Sequence, residues 1–254
     1  MKSRSQGLGS NLLRALRPAD LALLSPSLES VQLASRQILY QPGDDVNHVY
    51  FPCDATLLSF VVPLESGKDV EAALIGREGA VGGIVSHGRL PAYARAIVQC
   101  EGPALRMKCV ELEQAKAQSL TLRQLFARYA DCLMAQMFQS VACNAAHSIE
   151  QRTAKWLLAT MDRTDDSAIA LTQEQLSGLL GVGRSYVGRV MRSLKERRIV
   201  EFGYRRLIIL DEQALRDTAC DCNGLVSRHF HEVLRGVYPS AQDERNAEDP
   251  VLDI

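Results

Sequence analysis

The chain has 254 residues, with 29 Lys and Arg against 30 Asp and Glu and 46% apolar residues. That length and apolar content can supply one large core or two, and the formal net charge of −1 excludes binding of nucleic acid by bulk charge alone. The seven cysteines are odd in number and scattered, with no C-x-x-C pair, which argues against a disulfide framework and for reduced thiols in the cytoplasm.

Residues 1–18 read as a loose lead. Lys2 and Arg4 are followed by Ser, Gln and Gly rather than an apolar run, so no signal peptide is expected. No apolar stretch is long enough to cross a bilayer, and no membrane partner is expected. A short helix follows at 18–24. From Val31 the grain changes to short β-like runs at 30–40, 46–52, 57–64, 70–75, 94–100 and 104–107. Turn chemistry separates them, in Pro42-Gly43-Asp44 and in Glu65-Ser66-Gly67-Lys68. Many short strands at even spacing predict a double-sheet roll over 19–115.

Residues 120–145 contain neither Pro nor Gly. Leu122, Leu125, Phe126, Tyr129, Leu133, Met137, Phe138 and Val141 recur there at helical spacing. A long helix with such a stripe can be covered by its own roll or can pair with a twin across a two-fold axis. Asn144–His147 reads as a hinge that closes this segment, 116–147. The C-terminal domain then runs over 148–238. Its first helix, 148–163, carries the single tryptophan, and Trp156, Leu157 and Leu158 read as core. A polar loop at 164–167 leads to a strand at 169–171.

Residues 171–198 read as two short helices joined by a tight turn. Thr172 is a natural N-cap, and Gln175 three residues on completes a capping box. Gly181-Val182-Gly183 ends the first helix. In the second, Val187, Val190, Met191 and Leu194 share one side, while Ser185, Arg189 and Arg192 share another, with Arg184 at the start. This is the helix-turn-helix pattern, whose second helix enters the major groove. Arginine suits that place because its fork bonds guanine O6 and N7 together. Ile199–Leu210 reads as a hairpin, the wing of a winged helix, with Arg205 and Arg206 near its tip. From Arg184 to Arg206 eight basic residues face only Glu196 and Glu201, a local excess suited to phosphate. The base readers expected are Arg184, Ser185, Tyr186 and Arg189. The phosphate holders expected are Thr172, Gln173, Arg192, Lys195, Arg205 and Arg206.

The segment GVGRSYVGRVMRSLKERRIV resembles the DNA-reading segment of the Crp/Fnr family of bacterial regulators, through Arg184, Tyr186, Val187, Gly188 and Arg189. It departs from the family pattern at Ser185, where Glu is usual. A carboxylate accepts from cytosine N4 whereas a serine hydroxyl reads bases ambiguously, so the family's half-site does not carry over. YQPGDDVNHVYFP and GREGAVGG resemble the family's sensor domain, and the likeness spans roughly residues 20–235. The resemblance implies an α+β fold: a cyclic-nucleotide-binding-like double-stranded β-roll, a long central dimerisation helix and a C-terminal winged helix-turn-helix. It also implies a homodimer on an inverted repeat of double-stranded DNA, and RNA polymerase as a further partner. The helical seam would carry Leu122, Phe126, Tyr129, Leu133, Met137 and Val141.

An unknown small effector in the roll would meet Arg77, Glu78, Gly79 and Arg95. A cyclic nucleotide is not expected. The family's nucleotide-binding members carry an Arg followed by Ser or Thr about ten residues after a Gly-Glu, and here that place falls near Ala92-Tyr93, with Arg89 and Arg95 offset. The glycines themselves serve equally to turn the chain. An iron–sulfur cluster is not expected, since the first cysteine is Cys53, and haem has only His48 and His87 as ligands by residue type. The same two histidines are too few for a cupin-like metalloenzyme, so no enzyme is expected. The remaining rival is a signalling module that meets a protein or RNA. Beyond the wing, 211–219 reads as a helix. Cys220, Cys222, His229 and His231 then offer thiols and imidazoles close together, but Cys-x-Cys and His-x-His are not zinc-finger spacings, and a helix would turn the two histidines apart. The acidic tail, 239–254, is expected to be disordered.

Overall fold

The computed structural model describes residues 9–65, 67, 69–85, 91–203, 206–235 and 237. Seven strands make the N-terminal roll: β1 (Glu29–Leu33), β2 (Ile38–Tyr40), β3 (His48–Pro52), β4 (Leu57–Pro63), β5 (Asp69–Ile75), β6 (Arg95–Cys100) and β7 (Gly102–Lys108). They form two antiparallel sheets, ordered β1-β7-β3 and β2-β6-β4-β5. Val49 and Phe51 on one sheet and Leu58, Ala73, Ile75, Ala96 and Val98 on the other close one core. The run expected at 30–40 is two strands. Residues 34–37 turn between them, and Arg36 takes a positive φ of 66°.

The lead differs from expectation. Ser10 caps a one-turn helix, α1 (Asn11–Arg14), whose Leu12 and Leu13 are buried in the roll core. Asn11 N donates to Arg77 O at 2.7 Å. Two leucines with a serine cap suffice to dock this turn, a signal too short for periodicity to register. Next comes α2 (Pro18–Leu24), with Pro at its first position as expected for a helix start. A helix not anticipated from the sequence, α3 (Cys109–Gln118), follows the roll.

The long helix α4 (Leu120–Ala146) starts at Ser119, whose hydroxyl accepts from Leu122 N at 3.1 Å. Leu122, Leu125, Phe126, Tyr129 and Leu133 pack into the roll's own core. Tyr129 Oη accepts from Ala80 N at 2.8 Å and donates to Ala80 O at 3.0 Å.

The second core belongs to the C-terminal unit. It gathers Trp156, Leu157 and Leu158 from α5 (Ile149–Thr164), Leu176 and Leu179 from α6 (Gln173–Leu179), Val187, Met191 and Leu194 from α7 (Arg184–Glu196), and Leu207 and Ile209. Its small sheet is ordered β8 (Ala168–Ile169), β10 (Arg206–Ile209), β9 (Val200–Gly203). Leu215 of α8 (Glu212–Thr218) closes it.

The last helix, α9 (Cys222–Arg235), lies elsewhere than its sequence position suggests. Expected within the winged-helix unit of 148–238, it instead packs along α4. Phe230, Leu234 and Val237 join the roll core. The Phe230 ring meets Tyr129 edge-on, 6.2 Å between centroids. Arg128 Nη1 donates to Val233 O at 2.8 Å. The expected tail, 239–254, lies outside the described residues.

Candidate nucleic-acid interface

The turn between α6 and α7 is built from backbone geometry. Gly181 holds φ at +68°. Its N–H reaches Gly178 O at 2.8 Å, and Val182 N reaches Ser177 O at 3.0 Å. That pair of bonds is a Schellman motif, which ends a helix with a left-handed residue best filled by glycine. Buried Arg152, which sequence reasoning passed over, donates from Nη2 to Leu180 O at 2.6 Å and satisfies the carbonyl at the end of α6. The capping box forms as expected: Thr172 N donates to Gln175 Oε1 at 2.9 Å, and Gln175 N to Thr172 Oγ1 at 3.2 Å.

On α7 the division of faces is clean. Val187, Met191 and Leu194, at i, i+4 and i+7, are fully buried. Arg184, Ser185, Tyr186, Arg189, Arg192 and Lys195 are all exposed. The Arg189 guanidinium lies over the Tyr186 ring, 4.5 Å from its centroid. This i,i+3 cation–π contact holds the guanidinium against the helix and limits its rotamers. Arg197, by contrast, turns away to an ion pair with Glu150 at 2.9 Å and a bond to Thr218. Arg206 is exposed on β10, opposite Gly203. Arg205 lies outside the described residues. Gln173 opens α6 beside α7, with its Oε1 3.6 Å from where a Cβ on Gly188 would stand. Thr172 is half-buried, and its hydroxyl is already engaged in the cap.

The four residues expected to meet an effector are not brought together. Arg95 bonds Gln41 and Asp69 at the start of β5, while Arg77, Glu78 and Gly79 follow its far end. Arg77 pairs with Asp165 at 2.8 Å. Glu78 is buried with Arg163 of α5 at 2.9 Å and accepts from Gly76 N. A Cβ on Gly79 would fall 2.3 Å from Tyr129 Oη, so close packing of α4 explains that glycine. Arg77 and Glu78 thus join the roll to the C-terminal unit. Glu71 does the same: its carboxylate accepts from Ser59 Oγ at 2.5 Å and from Trp156 Nε1 at 2.9 Å. Burial holds the Glu71 carboxyl above its ordinary range, against those two hydrogen bonds. A cavity of about 450 Å³ opens at this junction, lined by Glu71, Gln136, Arg152, Lys155, Arg163 and Arg216 among others.

Of the predicted seam, Leu122, Phe126, Tyr129 and Leu133 are buried in the chain's own core, whereas Met137 and Val141 are exposed. The free stripe is Met134 (47% exposed), Met137, Phe138 (66%) and Val141 (69%), at i, i+3, i+4 and i+7. The weak metal candidates separate as well. His229 and His231 are exposed on α9, while Cys220 and Cys222 are buried beside Cys143 and His147. His87 and Arg89 lie outside the described residues. His48 is on β3, cross-strand from Lys108 and beside the Tyr50 ring. No described helix is long and apolar enough to cross a membrane.

Residues 151–218 match the family model of the Crp-like helix-turn-helix domain. No curated protein matches the chain. Solved structures share the fold over about three quarters or more of the chain. FixK2 from Bradyrhizobium japonicum aligns at a TM-score of 0.63 and 17% identity, over 76% of this chain and 98% of its own. A Crp/Fnr-family transcriptional regulator from Eubacterium rectale gives 0.65 and 13%, over 82% and 96%. CLP from Xanthomonas campestris, a c-di-GMP-responsive global regulator, gives 0.58 and 12%, over 77% and 100%. Residues 151–218 are thus a Crp-like helix-turn-helix domain, and the chain as a whole has the fold of solved Crp/Fnr-family regulators.

Proposed function

We propose that the protein binds an inverted repeat of double-stranded DNA as a homodimer in the cytoplasm, and that RNA polymerase is its functional partner. The observation that carries this reading is the two-sided α7: three fully buried apolar residues fix it, and six exposed side chains, four of them basic, line the other side. Arg184 and Arg189 read bases, with Ser185 and Tyr186 adjusting the choice. Arg192, Lys195 and Arg206 hold phosphates, and Gln173 assists at the start of α6. The free stripe on α4 supports the dimer, because a contiguous apolar row of this length on a soluble helix calls for a partner. Two-fold pairing then offers two recognition helices about one helical turn apart.

Control by an effector or change of state acts at the junction of roll and winged helix, where Glu71–Trp156, Glu78–Arg163 and Arg77–Asp165 tie the two units together. A ligand that favours one arrangement of these contacts shifts the population of DNA-competent dimers. The test is a salt titration on a mixed-sequence duplex. Binding should weaken linearly in log–log form, and Lys195→Ala should lower the slope by about one. An unchanged slope in that variant and in Arg192→Ala would overturn the assignment of this face to DNA.

A further inference from the structure

Four potential ligands converge where α4 ends: Cys143, one turn inside the helix; His147, its C-cap; and Cys220 and Cys222, either side of the start of α9. Their ligand atoms all lie within 4.8 Å of one another. Cys143 Sγ and Cys220 Sγ are 3.6 Å apart, and Cys222 Sγ is 3.5 Å from His147 Nδ1. We propose that these four side chains form a tetrahedral Cys3His zinc site that clasps the hinge between the long helix and the DNA-binding unit.

Two of the six ligand separations already match the cation, and all six lie within 4.8 Å. Zinc binds thiolate at about 2.3 Å and imidazole at about 2.0–2.1 Å in a tetrahedron, whose edges are then about 3.5–3.8 Å. Both measured separations are edges of that size. Three soft sulfurs and one imidazole are the donor set that selects zinc over hard cations. Surroundings agree with a ligand role rather than with ordinary packing. Cys143, Cys220 and Cys222 are 1%, 8% and 1% exposed, yet they form a cluster of their own, separate from both hydrophobic cores. Gln139 Nε2 donates to Cys222 Sγ at 3.1 Å, an outer-layer bond of the kind that orients a metal thiolate. The iron–sulfur alternative suits the site less well, since a cluster places several atoms between its cysteines, and 3.6 Å leaves room for one ion.

Position gives the site its consequence. Ala146 is the last residue of α4, and α5 begins at Ile149, so His147 lies in the link itself. Cys220 and Cys222 bridge α8, on the second core, to α9, which packs on α4. A bound cation therefore fixes the end of α4, the hinge and the α8–α9 connection as one body, whether or not the DNA reading above holds.

The test uses the full chain, purified without a metal column. Elemental analysis should find about one zinc per chain. Replacement by cobalt should give tetrahedral ligand-field bands with thiolate-to-metal charge transfer. Cys143→Ser and Cys222→Ser should lose the metal, while Cys53→Ser, a buried cysteine of the roll, should keep it. Gln139→Ala, which leaves all four ligands in place, should weaken zinc binding about tenfold or more. Should the cysteine variants fail to fold, the wild type still decides. Chelation should expose three thiols to alkylation and lower Tm, and zinc should reverse both. A chain that takes up no zinc when reduced, a cobalt form without thiolate charge transfer, or a Cys143–Cys220 disulfide in fresh protein would each overturn the site.

Discussion

At the scale of single residues, three positions carry most of the account. Arg189 is exposed, stacked on Tyr186 and one turn from Ser185, a placement that suits the base-reading role proposed for it. Arg189→Ala should cost about 1–3 kcal/mol on the specific site and relax sequence choice there. An equal loss on random DNA would make it a phosphate contact. Gly181 sits at φ +68°, and an added Cβ would stand 3.2 Å from Val70 of the roll. Gly181→Ala should therefore lower stability by about 1 kcal/mol or more in urea unfolding, since the strained backbone adds to the contact. Glu71 gives a pH signature. Its carboxyl is raised in the folded chain by burial, so the folded state keeps a proton that the unfolded chain releases. Its contribution to stability is intact below the unfolded pKa and is lost as pH rises through the folded one. Glu71→Gln should thus match the wild type in Tm at acid pH and exceed it at neutral pH; a variant equally destabilised at both would contradict this. The exposed face of α7 was legible in the sequence because exposure follows from helical spacing. Arg152 and Glu71 were not, because each is defined by a partner in another element: Leu180 O for the first, Ser59 and Trp156 for the second.

At the scale of elements, α4 shows what periodicity can and cannot decide. Spacing marks an apolar helix but not which part of a wide stripe meets which neighbour. The roll takes Leu122 to Leu133, and α9 takes the side around Tyr129 through Phe230. That leaves Met134, Met137, Phe138 and Val141 exposed, the face on which the proposed second copy would pack. Phe138→Asp should turn the dimer into a folded monomer in sedimentation, with its circular dichroism unchanged. A dimer that survives this change would move the seam elsewhere. Phe230→Ala should behave differently, lowering stability by about 3–5 kcal/mol, because it empties a site in the roll core. The place of α9 was hidden from the sequence: Phe230 and Leu234 announce an apolar face but not the helix it covers. The lead was misread for a related reason, since a four-residue turn has no period to read.

At the scale of the molecule, one architecture follows from two cores and the contacts between them. The roll and the winged helix were legible as separate units from the change of grain at Val31 and the capped helices after Ser148. Their junction was not, because Arg77, Glu78 and Gly79, grouped by sequence as ligand contacts, are spent on Asp165, Arg163 and Tyr129. In the proposed function, state at the junction and at the hinge would set the disposition of two α7 helices, and that disposition would set affinity for a spaced pair of half-sites. The most direct measurement is selection of the purified chain against a pool of random duplexes at two salt concentrations, since salt separates phosphate attraction from base reading. The account predicts enrichment of an inverted repeat with half-sites about one helical turn apart, persisting at the higher salt. Binding that merely fades with salt and enriches no sequence, in the protein alone and with cell extract added, would contradict it.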